Sequence, residues 1–202
     1  MTALILRATA LLWVAVLSAG CSGVQVVNTG EPPAATQVTP STAPPPPPPT
    51  NAHLANAFDF AAATEAGTAY YFTTPSGRWA CAILPRVKAG CQLASGSGSA
   101  LGITGEPESV PNAAGEAVTP NAVAVDREGD AQFVALDQAE FTPEPGPAKV
   151  LEFNRILAAA GFRCNVQEQF GVSCISELSG KGFTFSADGL LPQYTDVPVD
   201  AP

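Results

Sequence analysis

Two stretches with the same cysteine spacing decide the fold: Trp79-Ala80-Cys81, followed by nine residues and Cys91, and Phe162-Arg163-Cys164, followed by nine residues and Cys174. In each stretch an aromatic residue stands two positions before the first cysteine. A β-strand would place both of these side chains on one face, because successive side chains of a strand alternate. Each interval also contains glycine, which favours turns. The spacing therefore predicts two similar β-hairpins.

The N-terminal residues have the layout of a secretory signal. Arg7 is the only charged residue before an apolar run, Ala8–Leu17, which is shorter than the roughly 20 residues that span a bilayer. The following Leu17-Ser18-Ala19-Gly20-Cys21 resembles the lipobox of bacterial lipoproteins. That resemblance implies that residues 1–20 are a signal peptide and that Cys21 is lipidated, which would anchor the protein to the extracytoplasmic face of the cell membrane. Plain cleavage after Gly20 and an uncleaved anchor are the alternatives.

The four cysteines after Cys21 are expected to form disulfides, because an even number of cysteines in an exported domain is typical of a disulfide framework. The simplest geometry pairs each hairpin locally, as Cys81–Cys91 and Cys164–Cys174. Each ring would contribute about 2.5–3 kcal/mol by loop-closure entropy. The crossed pairing remains open, since four cysteines allow three connectivities. A zinc site is disfavoured, because structural zinc ligands usually lie about two to four residues apart.

A linker and one domain follow the lipidation site. Residues 21–51 are rich in proline, with an unbroken run from Pro44 to Pro49, and they show no apolar periodicity. We predict a disordered linker there, which in polyproline II geometry of about 3.1 Å per residue could reach roughly 90 Å. Residues 52–202 have the length of a single globular domain with one core.

The domain is predicted to be mainly β, as a small disulfide-stapled β-sandwich or a barrel-like fold. Short β-branched and aromatic segments occur at 69–73 and 182–186, and a hairpin is predicted from 123 to 136 with its tip at 126–130. The stretch 93–120 has the composition of a long loop. Residues 148–160 are ambiguous: proline near the start, glycine just after the end and apolar residues at helical spacing favour one short helix, with an extended segment as the alternative.

The segment from Phe72 to Cys81, FTTPSGRWAC, resembles the F-x-[ST]-P-S-G-N-x-x-C opening of a family of small exported actinobacterial proteins, of mycobacterial type. The patterns at 161–164, 171–174 and 180–186 resemble the closing motifs of the same family. Arg78 replaces the usual Asn, and Asn154 falls where the family tends to have glycine. The resemblance implies a fold and no activity, and it favours the extended alternative for residues 150–160.

Composition and motifs exclude several classes of function. The net charge is −9, and near −10 without the signal peptide, so a nucleic-acid partner is not expected. The single histidine, His53, stands at the junction of linker and domain, where it suits a solvated residue better than a catalytic one. Nucleotide-binding, serine-hydrolase and zinc-protease motifs are absent from the sequence, and we predict no cofactor and no metal.

Two other features, a group of carboxylates and a group of aromatic residues, are more simply explained by structure than by function. The carboxylates of Asp126, Glu128 and Asp130 are expected to be solvated at a hairpin tip, with weak Ca²⁺ binding as the alternative. The aromatic residues near the first cysteine are expected to be core, although the neighbours Tyr70 and Tyr71 must face opposite ways in a strand, so that one of them should be exposed.

These observations predict a cell-envelope lipoprotein that displays a small extracytoplasmic domain, with a non-enzymatic binding or interaction role. The expected partner is an envelope protein or a cell-wall component. A hydrolase that uses two carboxylates about 5–9 Å apart is the first alternative. A purely structural envelope component is the second.

Overall fold

The computed structural model describes residues 52–96, 100–144 and 146–202. The predicted signal peptide, Cys21 and the linker to residue 51 lie outside the described residues. A short 3₁₀ helix, Ala57–Phe60, begins the described part of the chain. It is followed by β1 (Ala61–Thr64), β2 (Gly67–Thr73), β3 (Trp79–Leu84), β4 (Lys88–Leu93), β5 (Val110–Pro111), β6 (Ala117–Val118), β7 (Ala122–Asp126), β8 (Ala131–Val134), β9 (Lys149–Val150), β10 (Ile156–Ala159), β11 (Phe162–Gln167), β12 (Gly171–Ser176), β13 (Gly182–Ser186) and β14 (Gly189–Leu191).

Apart from β5 and β6, the strands form two sheets that pack face to face. The first sheet has the order β1-β2-β3-β4-β7-β8, and β9 pairs with β2 in the parallel sense. The second sheet is an antiparallel meander of β10 to β14, and β5 pairs with β6 in a separate small hairpin. Strand β12 contacts both β4 and β7 across the interface. The prediction of a mainly β, disulfide-containing sandwich is confirmed.

The main core lies between the two sheets and contains both cysteine pairs. Each predicted cysteine hairpin is present, as β3–β4 and β11–β12, and each is central in its sheet. Trp79 packs edge-on against Phe185 with ring centroids 4.6 Å apart. The long segment between β4 and β7 is mostly irregular, as predicted, but it also inserts Leu101 and Ile103 into this core.

The outer face of the first sheet has a core of its own. Phe141, from the segment between β8 and β9, is buried against Gly90, where a Cβ atom would stand 2.5 Å from the ring. The backbone N–H of Phe141 donates to Oε1 of Gln92 at 3.0 Å. Since both faces of β2 are covered, neither tyrosine of that strand is exposed: Tyr70 borders the main core and Tyr71 is buried on the opposite face. The expectation of one exposed tyrosine was wrong.

The helix predicted for residues 148–160 is not formed. This segment contains β9 and β10, which are joined through Asn154 with φ of 60°. Ala160 (φ 49°) and Gly161 (φ 87°) then make a two-residue turn into β11. Positive φ at both positions of such a turn is typical of a β-hairpin, so the glycine that resembled a helix end is a hairpin residue. In the described ranges we find no helix with the length and apolarity needed to cross a bilayer.

Candidate functional site

The cysteine pairs are structural. Cys81–Cys91 and Cys164–Cys174 join directly opposed strand residues, with Cα atoms 4.0 Å and 4.1 Å apart. All four side chains are buried. The local pairing predicted from the spacing is therefore confirmed, and the crossed pairing is wrong.

The FTTPSGRWAC segment forms the turn between β2 and β3. The hydroxyl of Thr74 accepts from the backbone N–H of Trp79 at 3.2 Å and pairs with the hydroxyl of Ser76 at 3.1 Å. Gly77 has φ of 68°, and its N–H donates to the carbonyl of Thr74 at 2.8 Å. Arg78 donates to the carbonyl of Leu101 at 2.8 Å, which ties the turn to the long loop. This motif holds a turn in place rather than presenting a reactive group.

The other residues that the sequence singled out as candidates do not come together in one site. His53 is partly exposed, and its Nε2 lies 3.3 Å from the carbonyl of Val199. At the β7–β8 tip, Asp130 forms an ion pair with Lys181 at 2.9 Å. Within the three described ranges, no three His, Cys, Asp or Glu side chains stand together in a way that would hold a metal ion.

A hollow of about 500 Å³ lies on the outer face of the first sheet. Its lining includes the carboxylates of Asp126, Asp137 and Glu140. Glu140 is already paired with Lys88 at 2.7 Å, so one of the three carboxylates is neutralised by a lysine at the same site.

The outer face of the second sheet is polar and nevertheless buried. Asn165 and Gln167 on β11, Ser173 on β12 and Thr184 on β13 point to this face and are covered by residues 193–197 of the C-terminal segment. The amide of Asn165 donates to the Tyr194 hydroxyl and to the Thr195 carbonyl, both at 2.9 Å. Buried polar groups are usually hydrogen-bonded, and the covering segment supplies partners to Asn165, Gln167 and Thr184. Within the described residues, Nε of Arg163, on the same face of β11, is buried without a partner.

Tyr194 belongs to this polar layer. Burial raises the pKa of its hydroxyl to about 12, and the hydrogen bond from Asn165 opposes that shift with a smaller effect. The phenol therefore remains neutral at physiological pH and acts as a hydrogen-bond partner within the layer rather than as an acid or base.

An open groove runs along the margin of the polar layer. Two hollows, of about 350 Å³ and about 430 Å³, both include Gln169 and Phe170, which form the tip of the β11–β12 hairpin. The Phe170 side chain is 47% exposed. We call the two adjoining hollows the Phe170 groove. Its walls come from Asn154, Asp188, Gln193 and the C-terminal residues Pro198 and Asp200.

The sequence analysis did not single out Phe170. A signal was present, since a large aromatic residue stands between two polar residues and Gly171 in the interval of a predicted hairpin, where burial is not expected. Comparison with protein-family models, with curated proteins and with solved structures finds no match to this chain.

Proposed function

We propose that the protein is a cell-envelope lipoprotein, anchored through Cys21, whose β-sandwich domain is a non-enzymatic binding module. The anchor rests on the lipobox-like Leu17–Cys21 and the proline-rich linker that follows it. The resemblance of Phe72–Cys81 to a family of exported actinobacterial proteins supports an actinobacterial origin and an envelope or cell-wall partner outside the cytoplasm.

The exposed ring of Phe170 is the observation that carries the binding role. An aromatic side chain gains about 1.5–3 kcal/mol from burial, yet this one lies at a hairpin tip and lines two hollows. The tip is held firmly, because the hairpin is closed by Cys164–Cys174 and Gly171 packs so closely on Phe185 that an added Cβ would collide with the Phe185 carbonyl oxygen. A rigid aromatic residue beside polar walls is typical of a binding site.

Binding is tested with purified full-length protein in detergent and isolated cell-envelope sheets. We expect sedimentation of the protein with the sheets and a roughly tenfold weaker retention of Phe170→Ala, as for an aromatic anchor of an interface. Phe58→Ala is the matched control, because Phe58 is 89% exposed and lies outside the groove. Equal retention of both variants and the wild type would show that the groove is not the binding site.

The anchor is tested separately in cells. Cys21→Ala, or inhibition of the lipoprotein signal peptidase, should release the protein from the membrane fraction and abolish labelling with a fatty-acid probe. Unchanged membrane retention without lipid labelling would contradict the lipoprotein assignment. It would not affect the binding test, which is independent of the anchor.

The hollow on the first sheet favours one second candidate, a carboxylate-based hydrolase, because it brings Asp126 and Asp137 to one surface. A hydrolase would release soluble sugar or peptide fragments from envelope sheets, and Asp126→Asn or Asp137→Asn would stop the release. Absence of fragments, together with retention that depends on Phe170, favours the binding module. Neither activity would be expected of a purely structural component.

A further inference from the structure

The Phe170 groove differs from the hollow on the first sheet in its charge. Lys88 lines the first-sheet hollow, whereas the lining of the Phe170 groove contains no lysine or arginine. Three carboxylates line the groove instead, those of Glu168, Asp188 and Asp200. The whole chain has a net charge of −9, which adds to the same negative field. Phosphorylated or otherwise anionic ligands are therefore repelled from this site.

Two amide side chains of the groove are exposed to solvent. Gln169 and Gln193 both line the 430 Å³ hollow, and among the described residues neither side chain makes an intramolecular hydrogen bond. By contrast, the side-chain amides of Asn165 and Gln167 are hydrogen-bonded beneath the C-terminal segment. An exposed side-chain amide offers both a hydrogen-bond donor and an acceptor, and two neighbouring hydroxyls of a ligand can bind to them.

The Phe170 ring supplies an apolar contact surface between these polar groups. The C–H face of a sugar ring can pack on an aromatic ring while its hydroxyls point outward to amides. The two hollows lie on the same hairpin tip, and each falls in the range of about 300–1,000 Å³ that is usual for ligand sites. Two adjoining hollows of this size suit several linked units rather than one small molecule.

We propose that the Phe170 groove binds a segment of an uncharged, hydroxyl-rich polysaccharide, with a sugar ring stacked on Phe170 and its hydroxyls bonded to Gln169 and Gln193. This inference rests on the proposed binding function and deepens it by naming the class of ligand. The carboxylates tolerate an amino sugar in the chain and reject phosphate-bearing or uronic polysaccharides.

The test uses full-length protein in detergent and three probes. The first is uncharged polysaccharide released from delipidated, protease-treated envelope and freed of anionic material by ion exchange. The second is the anionic fraction from the same column, and the third is oligolysine as a basic peptide. We expect binding of the uncharged fraction, little change with added salt, and about tenfold weakening in Phe170→Ala but not in Phe58→Ala. Gln169→Ala and Gln193→Ala should each weaken binding less than Phe170→Ala.

The outcomes separate the ligand class from the binding function. Binding of the anionic fraction alone, or of oligolysine alone with strong salt dependence, would overturn the polysaccharide assignment. Loss of envelope retention after protease treatment would also overturn it, and would indicate a protein ligand. In all three cases, envelope retention that depends on Phe170 supports the binding module. Retention that does not depend on Phe170 would exclude the groove as the binding site, and with it the polysaccharide assignment.

Discussion

Thr184 is the centre of the polar layer beneath the C-terminal segment, and its replacement by valine gives a quantitative test of that layer. Its Oγ1 lies 2.8 Å from Oγ of Ser173, 2.9 Å from the carbonyl of Gln193 and 2.9 Å from Oγ1 of Thr195. A hydroxyl has one proton and a carbonyl can only accept, so Thr184 must donate to Gln193. It follows that Ser173 and Thr195 both donate to Thr184.

Thr184→Val keeps the shape of the side chain and removes all three hydrogen bonds. The hydroxyl of Thr195 and the carbonyl of Gln193 belong to residues that water can reach, whereas Ser173 is 0% exposed and Thr184 only 3%. The Ser173 hydroxyl is therefore left buried without an acceptor, which costs about 1–3 kcal/mol, and the lost hydrogen bond adds about 1 kcal/mol. We expect the free energy of unfolding to fall by about 2–4 kcal/mol.

Urea denaturation of the wild type, of each single variant and of Thr184→Val/Ser173→Ala forms a double-mutant cycle. Ser173→Ala removes the stranded donor, so the double variant should be more stable than the sum of the single effects by about 1–2 kcal/mol. Thr64→Val is the control, because Thr64 also donates to a carbonyl, at 2.7 Å, but is exposed; its cost should stay below about 1 kcal/mol. Additivity within about 0.5 kcal/mol would refute the buried hydrogen bond between Ser173 and Thr184.

Three further predictions concern the scaffold and the pH range. Cys81→Ala/Cys91→Ala and Cys164→Ala/Cys174→Ala should each lower the free energy of unfolding by about 2.5–3 kcal/mol, since both rings have a sequence separation of 10; strongly unequal losses would contradict the loop-closure argument. Gly90→Ala should destabilise by about 1–3 kcal/mol by displacing Phe141, which a lowered melting temperature would show, and a neutral effect would contradict the packing described. The folded pKa of Tyr194, about 12, lies above its ordinary value of 10.0, so its contribution is complete below about pH 10 and is lost as the pH rises toward 12. Tyr194→Phe should flatten that alkaline loss of stability, measured as urea midpoints; an unchanged slope would contradict the burial of this phenol.

The cysteine hairpins were predictable because local geometry alone specifies them. An aromatic residue and a cysteine two positions apart share a strand face, and equal intervals to Cys91 and Cys174 leave room for a tight turn in both stretches. The structure places both cysteine pairs at directly opposed positions. Nothing beyond period-two alternation and turn length is needed for this part of the fold.

The segment 148–160 could not be assigned from its own sequence. Leu151 and Leu157 are both buried, and their spacing fits a helix as well as two short strands. The decision comes from pairing with β11, in which Leu157 lies opposite Cys164. Such a partner is a tertiary contact that periodicity does not report. Asn154, the αL residue suggested by the family resemblance, was the one local indication in favour of strands.

The candidate site could not be predicted from the sequence, and the reason is a different one. Asn165, Gln167 and Thr184 alternate with buried apolar residues, and such alternation normally indicates a face in contact with water. The C-terminal segment that covers them has neither helical nor strand periodicity, so its docking leaves no pattern in the sequence. The groove arises where that cover ends, beside a hairpin tip, and its position therefore depends on two contacts that are distant along the chain.

The two outer faces of the sandwich are covered by different chemistry, and the difference is the reason that we propose ligand binding on the second sheet. On the first sheet, Phe141 fills a space that only glycine at position 90 leaves open, so its cover is close-packed and intolerant of change. On the second sheet, the cover is held by amides and hydroxyls, each worth about 1 kcal/mol. Residues of the tip and the C-terminal segment, such as Gln169 and Gln193, can therefore vary without disturbing the core. A module built this way can change its ligand through a few exposed side chains while the disulfides and the buried glycines keep the fold.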